Sequence, residues 1–402
     1  MDTFRYLMKC PGLNYLKSLV LEGDIENQAC EVLAQTESLS HLEELEFMGG
    51  CVFDHVEMEY VANSPHLGRV KVLRMNNYEF ERANVLTHSP MMSRLTSFTS
   101  YNCDFSEFDL DKDLPKLKTL VLECMDDVLD CMPNLDKFTN LTCLALHGVG
   151  DLQCKRVAES RLRHLEDLKL TANVGDEGLK YIATSPYLKN LKNLNLPCTY
   201  HDFGDNGLKY LSNSENIANL KYLDITHSNV TSEGIRALSS SQRFSNLEHL
   251  ELIGVDMTSE MCELIAHSPH LTHLKKLSLN SDLTSQSLSI LCSNLHLTHL
   301  RLSGSNKFPN ESCQVLAQSS HLANLQVLAF CNNKVSKEGF EMLSNSPYLN
   351  KLKNLSVMVN QLNEQEARSI VSNSKTFCGM SVTVKKGKCE AVLIILRMQG
   401  TP

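Results

Sequence analysis

The chain has 402 residues, 42% hydrophobic and 21% charged, with no Trp, so it is long enough for two or three ordinary domains and can bury a sizeable core. A formal net charge of -9 and an isoelectric point near 5.9 exclude general attraction to nucleic-acid phosphates or anionic lipid. A partner recognised through long-range charge should therefore be basic.

The 15 cysteines run from Cys10 to Cys389 without a CxxC pair, the pattern of free thiols in a reducing compartment, and the commonest zinc and redox motifs are missing. Met1 to Pro11 carries neither the positive region nor the apolar run of a signal peptide, and no unbroken apolar stretch of about 18 residues occurs. The expected location is cytoplasmic, and the four sequons at Asn140, Asn229, Asn310 and Asn354 are expected to stay unmodified.

In chain order, residues 1–15 offer a thin cap, with Phe4, Leu7 and Met8 on one face of a short helix. From Leu16 the pattern LxxLxL recurs. Well-formed copies begin at Leu16, Leu117, Leu141, Leu165, Leu191, Leu220, Leu247, Leu274, Leu297, Leu325 and Leu352, and degenerate ones at Leu42, Val70 and Leu95 fill the gaps. That makes 14 units whose starts lie 22 to 29 residues apart, spanning residues 16–375. In each, the second and third leucines alternate along a short strand, and the residues between them point to the other face.

A helical signal follows in Val174-Gly-Asp-Glu-Gly-Leu179, Val230-Thr-Ser-Glu-Gly-Ile235 and Val335-Ser-Lys-Glu-Gly-Phe340, where Asp, Thr or Ser can cap the first turn. A recurrent Ser-Pro at Ser64, Ser89, Ser185, Ser268 and Ser346 ends the helix, because proline cannot continue it. The least regular stretch is 78–141, with the acidic loop Asp104 to Asp113. At the other end, residues 376–402 read as a hairpin cap: Ser381 to Val384, a Lys-Lys-Gly-Lys turn, and Ala391 to Leu396. No linker divides the chain, so residues 1–402 are expected to form a single domain.

These repeats resemble the leucine-rich-repeat family, and the long helix-containing units look most like its ribonuclease-inhibitor-like subclass. The resemblance implies an α/β solenoid, a horseshoe of about 14 strand-loop-helix units with a parallel sheet on the concave face. The family's strand-end Asn or Cys is matched at Asn173, Asn333, Asn360 and Cys103, and many other units carry Asp, Ser, Gly or Val there.

Candidate chemistry is sparse. Asp109, Asp111 and Asp113 alternate like the start of a calcium loop, but Leu114 stands where Gly is needed and Leu120 where Glu is. His267, His270 and His273 are spaced three apart, yet Pro269 breaks the helix between them. No phosphate loop, nucleophile elbow or dinucleotide fingerprint occurs, so no cofactor, metal or catalysis is expected. The family includes a Ran GTPase-activating protein in which a solenoid Arg acts on a bound GTPase. Here Arg74 and Arg301 are the only arginines in the central outward column, and no motif maps onto them.

What remains is the outward face of the strands. In the eighth to twelfth units its columns are Asn193, Asn195, Pro197; Tyr222, Asp224, Thr226; His249, Glu251, Ile253; Lys276, Ser278, Asn280; and His299, Arg301, Ser303. Neighbouring strands lie about 4.8 Å apart, so Tyr222, Asp224, His249 and Glu251 should form one patch, with Tyr200 and His201 in the loop beside it. An aromatic flanked by carboxylates is the composition of an anchor for a basic or polar segment of another protein. Ordinary solvated strand residues would read the same way. The expected function is a non-catalytic protein-binding scaffold. A substrate-recognition subunit of a ubiquitin-ligase complex, or a GTPase activator, are the alternatives.

Overall fold

The structure is a computed structural model that describes residues 2–23, 28–48, 55–75, 84–101, 113–123, 134–198, 202–280, 283–304, 307–360, 364–377, 379–386 and 391–398. The loop 104–112, Cys103, Tyr200 and His201 lie outside the described residues. All 14 motif starts are followed two residues later by the first residue of a strand, from Ser18–Glu22 to Asn354–Asn360. The chain is an α/β solenoid of strand-loop-helix units, and its residues gather into two compact units, Met1–Leu194 and Asn195–Pro402.

In the first unit, the strands Ser18–Glu22, Glu44–Met48, Val72–Met75, Ser97–Tyr101, Thr119–Glu123, Cys143–Gly150 and Asp167–Asn173 each pair in parallel with the next. The register sets the same motif position side by side, so Leu45, Leu73, Phe98, Leu120, Leu144 and Leu168 form one buried row. In the second unit, Tyr222–Asp224, His249–Leu252, Lys276–Asn280, His299–Ser303, Val327–Val335 and Asn354–Asn360 repeat this, with Leu223, Leu250, Leu277, Leu300, Leu328 and Leu355 as the row. Stacking is what buries these leucines, since a single short strand has nothing of its own to cover them.

The Glu-Gly block of the helix starts has a packing cause. Asp151, the first residue of the helix Asp151–Glu159, accepts hydrogen bonds from the N–H groups of Gly175 at 2.7 Å and Gly178 at 2.9 Å in the next repeat. Asp205, which opens the helix Asp205–Ser212, does the same for Thr231 N–H at 2.8 Å and Gly234 N–H at 2.9 Å, and accepts from Thr231 Oγ1 at 2.7 Å. A carboxylate at one helix start thus satisfies otherwise unpaired donors of the next and sits at the positive end of its dipole.

The expected cap from within the repeat is present at Thr231 and Ser336, and Thr258 and Thr284 cap their helices in the same way, each side chain accepting a first-turn N–H group. It fails for Asp176–Thr184, where the cap residue is Gly175 and the bonding carboxylate is Asp151.

The Ser-Pro block also has a second role. Ser185 Oγ donates to Ala158 O of the preceding repeat at 2.6 Å and accepts from Tyr187 N–H at 3.2 Å. Ser64, Ser268 and Ser346 repeat the bond to Ala34 O, Ser239 O and Ala317 O. Ser241, Ser319 and Ser374 make it too, with no proline behind them. The serine, more than the proline, ties one helix end to the next.

At the C-terminal side, Ala391–Met398 pairs antiparallel with both Asn354–Asn360 and Met380–Lys386, so the second strand of the hairpin covers the last repeat. At the N-terminal side the helix Asp2–Leu7 buries Phe4 only partly; Met8 behind it is buried, whereas Leu7 is 54% exposed and lies off the packed face. Among the described residues no helix is long and apolar enough to cross a membrane.

Candidate functional site

The strands Tyr222–Asp224 and His249–Leu252 present their outward residues in register, His249 beside Tyr222 and Glu251 beside Asp224. The repeat forces this, because identical motif positions on adjacent parallel strands must be neighbours. The two rings meet edge to face, with centroids 4.7 Å apart and planes at 79°. Tyr222 Oη donates to Asp224 Oδ2 at 3.3 Å, and Thr226 N–H donates to Asp224 Oδ1 at 2.9 Å. His249 Nε2 and Glu251 Oε1 are 2.7 Å apart. Both carboxylates are only 9% exposed, although they sit on an open sheet face.

The next strands extend the columns: Lys276 lies beside His249 and Ser278 beside Glu251, then His299 and Arg301 one strand further. Burial, with Asp224 and Glu251 close by, pushes the Tyr222 hydroxyl above the ordinary phenol range, so it stays a hydrogen-bond donor at any physiological pH. For Glu251, burial works to raise the carboxyl. Hydrogen bonds from His249 and Ser278, with the charges of His249 and Arg301, outweigh it and hold the group below the usual carboxylate range.

A depressed folded-state pKa adds stability above the unfolded value of about 4.3, and that stability is lost as pH falls through the folded value. Thermal melts of the parent and Glu251→Gln from pH 7 to pH 3 should therefore differ most at neutral pH and converge in acid. A constant gap would remove Glu251 from this role.

Four of the six residues expected at the patch are thus brought together, and Tyr200 and His201 lie outside the described residues. Arg74 is engaged by Glu44 and Glu46 at 3.6 and 3.7 Å. The rings of His267 and His273 bond to separate backbone carbonyls, Glu263 O and Ser245 O, and the backbone N–H of His270 donates to Ser268 Oγ. Asn173 is exposed, whereas Asn280 takes Gly254 N–H at 2.8 Å and gives to Val255 O at 3.1 Å. The described residues contain no group of three or more His, Cys, Asp or Glu that could hold a metal ion. Burial pushes the Cys292 and Cys313 thiols up to about 12, too high for a thiolate nucleophile at neutral pH.

One further cluster escaped the sequence reading. In the first unit, Tyr101, Glu123, His147 and Thr171 stand side by side at the seventh motif position of four consecutive strands. Applying the column alignment to the fourth through seventh repeats would have found it.

The family model described as Leucine Rich repeat matches residues 216–239. A search of curated proteins finds no match. Among solved structures, an internalin from Listeria monocytogenes is 17% identical, covers 90% of this chain and 94% of its own, and superposes with a TM-score of 0.48. A protein from Bacteroides fragilis is 15% identical over 82% of this chain and 69% of its own, with a TM-score of 0.32. The matched segment holds the strand Tyr222–Asp224 and most of the helix Ser232–Ser240, one full turn of the repeat that recurs along the described chain. The strand rows and helix returns of the described chain thus repeat the unit that the leucine-rich-repeat model matches at residues 216–239.

Proposed function

We propose that the protein is a binding scaffold for another protein, and that the patch of Tyr222, Asp224, His249 and Glu251 is an anchor of its interface. The observation that carries this reading is the internal bonding of the patch. Two carboxylates 9% exposed on an open sheet face are held by Tyr222, Thr226 and His249, so a partner meets a fixed arrangement without ordering these side chains on binding. Aromatic residues fixed among polar groups are typical interface hot spots. A basic or polar segment of the partner suits the two acids, and Arg301 at the far side of the patch sets a limit on how much positive charge it takes. No cofactor enters this function.

Alanine at Tyr222 is expected to weaken capture of a specific partner about tenfold or more, in line with ordinary hot-spot truncations. The check is affinity capture from native lysate by the parent, Tyr222→Ala and Glu251→Gln, with bound proteins quantified. Proteins retained equally by all three would remove the patch from the interface. Stimulated GTP hydrolysis, or a ligase core among the captured proteins, would instead favour the two alternatives.

A further inference from the structure

The formal charge of -9 is unevenly placed. Residues 1–194 carry 30 acidic against 20 basic residues, a net of -10, whereas residues 195–402 carry 17 against 18, a net of +1. A basic partner is therefore drawn to the first unit, where the patch around Tyr222 is not. Within that unit the excess is local: residues 101–136 hold ten acidic and three basic side chains.

Two residues of this segment, Tyr101 and Glu123, stand in the row Tyr101–Glu123–His147–Thr171. Glu123 sits in register between Tyr101 and His147, whose ring centroids are 6.3 Å apart with planes at 60°. His147 Nδ1 lies 2.9 Å from Thr171 Oγ1, which fixes its ring. Burial first, then the charge of Lys169, holds His147 below its ordinary pKa, while Glu123 pulls the other way, so the imidazole is neutral at physiological pH and does not cancel the carboxylate. Among the described residues Glu123 makes no ion pair. The sequence adds Asp104, Glu107, Asp109 and Asp111 after Tyr101, and Asp126, Asp127 and Asp130 after Glu123.

We propose that this row is a second docking surface, for a lysine- or arginine-rich segment of a partner protein. An alkylammonium or guanidinium group lies over the Tyr101 ring and pairs with Glu123, while the net negative charge of residues 1–194 speeds its arrival. Lys169 confines the cation to the Tyr101 side of the row. The site is independent of the Tyr222 patch and stands or falls without it.

The test is titration of the full chain with a synthetic Lys-Gly repeat peptide and a Glu-Gly peptide of the same length, followed by fluorescence anisotropy at 50 and 300 mM NaCl. The Lys peptide should bind, the Glu peptide should not, and affinity should fall about tenfold between the two salt concentrations as the Debye length shortens. Glu123→Gln and Tyr101→Leu should each weaken the Lys peptide about three- to fivefold. Glu159→Gln, on the helix side of the same unit, should leave it unchanged. Where Tyr101→Leu perturbs the fold by circular dichroism, the isosteric Glu123→Gln decides alone. Equal binding of both peptides, unchanged affinity in Glu123→Gln, or a loss that follows Glu251→Gln in its place would each overturn the proposal.

Discussion

Gly234→Ala is expected to destabilise the protein by about 3 kcal/mol, although alanine is the better helix former. A methyl group at this position would lie 2.6 Å from Asp205 Oδ1, 2.8 Å from Val230 Cγ1 and 3.3 Å from Asp205 Cα. The carboxylate cannot simply swing away, because the same oxygen accepts from Thr231 N–H and Gly234 N–H. Overpacking costs about 1–3 kcal/mol, and losing two bonds to a charged acceptor costs about 1.5 kcal/mol or more for each. Helix propensity returns about 1 kcal/mol. Gly178 and Gly339 face the same crowding, from Asp151 Oδ1 at 2.5 Å and Cys313 Sγ at 2.8 Å. Gly68, whose nearest obstacle is Pro65 O at 3.6 Å, is the control and should change stability by less than about 0.5 kcal/mol. Urea melts of the three glycine variants and the control measure this, and equal midpoints would refute it.

Asp205→Ala is expected to cost about 2 kcal/mol, from three lost hydrogen bonds at a helix start that water partly replaces. The informative result is the combination. Once Asp205 is alanine, the oxygen nearest a methyl at position 234 is gone and only Val230 Cγ1 and the Cα of residue 205 still crowd it, so Gly234→Ala should cost less in that background than in the parent. The double variant should then be at least about 1 kcal/mol more stable than the sum of the single losses requires. Simple additivity would show that the two residues do not act through the contact described. Neither substitution touches the outward sheet face, so partner binding should survive in the folded fraction of both.

Much of this architecture can be read from the chain because the repeat imposes it. Leucines at alternating positions mark each strand, and every one of the 14 starts, including the degenerate Leu42, Val70 and Leu95, leads into a strand two residues later. Register follows from repetition as well. That is why the juxtaposition of Tyr222 with His249 and of Asp224 with Glu251 is a sequence-level result. The row through Tyr101, Glu123 and His147 is of the same kind, and only a narrower choice of repeats hid it.

The tertiary structure decides what side chains do with those positions. Nothing in the spacing says that Tyr222 turns its hydroxyl to Asp224 and His249 its ring to Glu251, or that burial leaves both acids 9% exposed. The glycine of the Glu-Gly block looks like a weak point of a helix until Asp205 or Asp151, from 29 or 27 residues earlier, fills the space beside it. The serine of Ser-Pro looks like a helix stop until its hydroxyl reaches the previous repeat. The period, the strand rows and the neighbours on the outward face can all be read along the chain, because they follow from local geometry repeated. The hydrogen bonds that cross between repeats were decided only in three dimensions, because each depends on how closely one helix start approaches the next, a distance that no one-dimensional pattern contains.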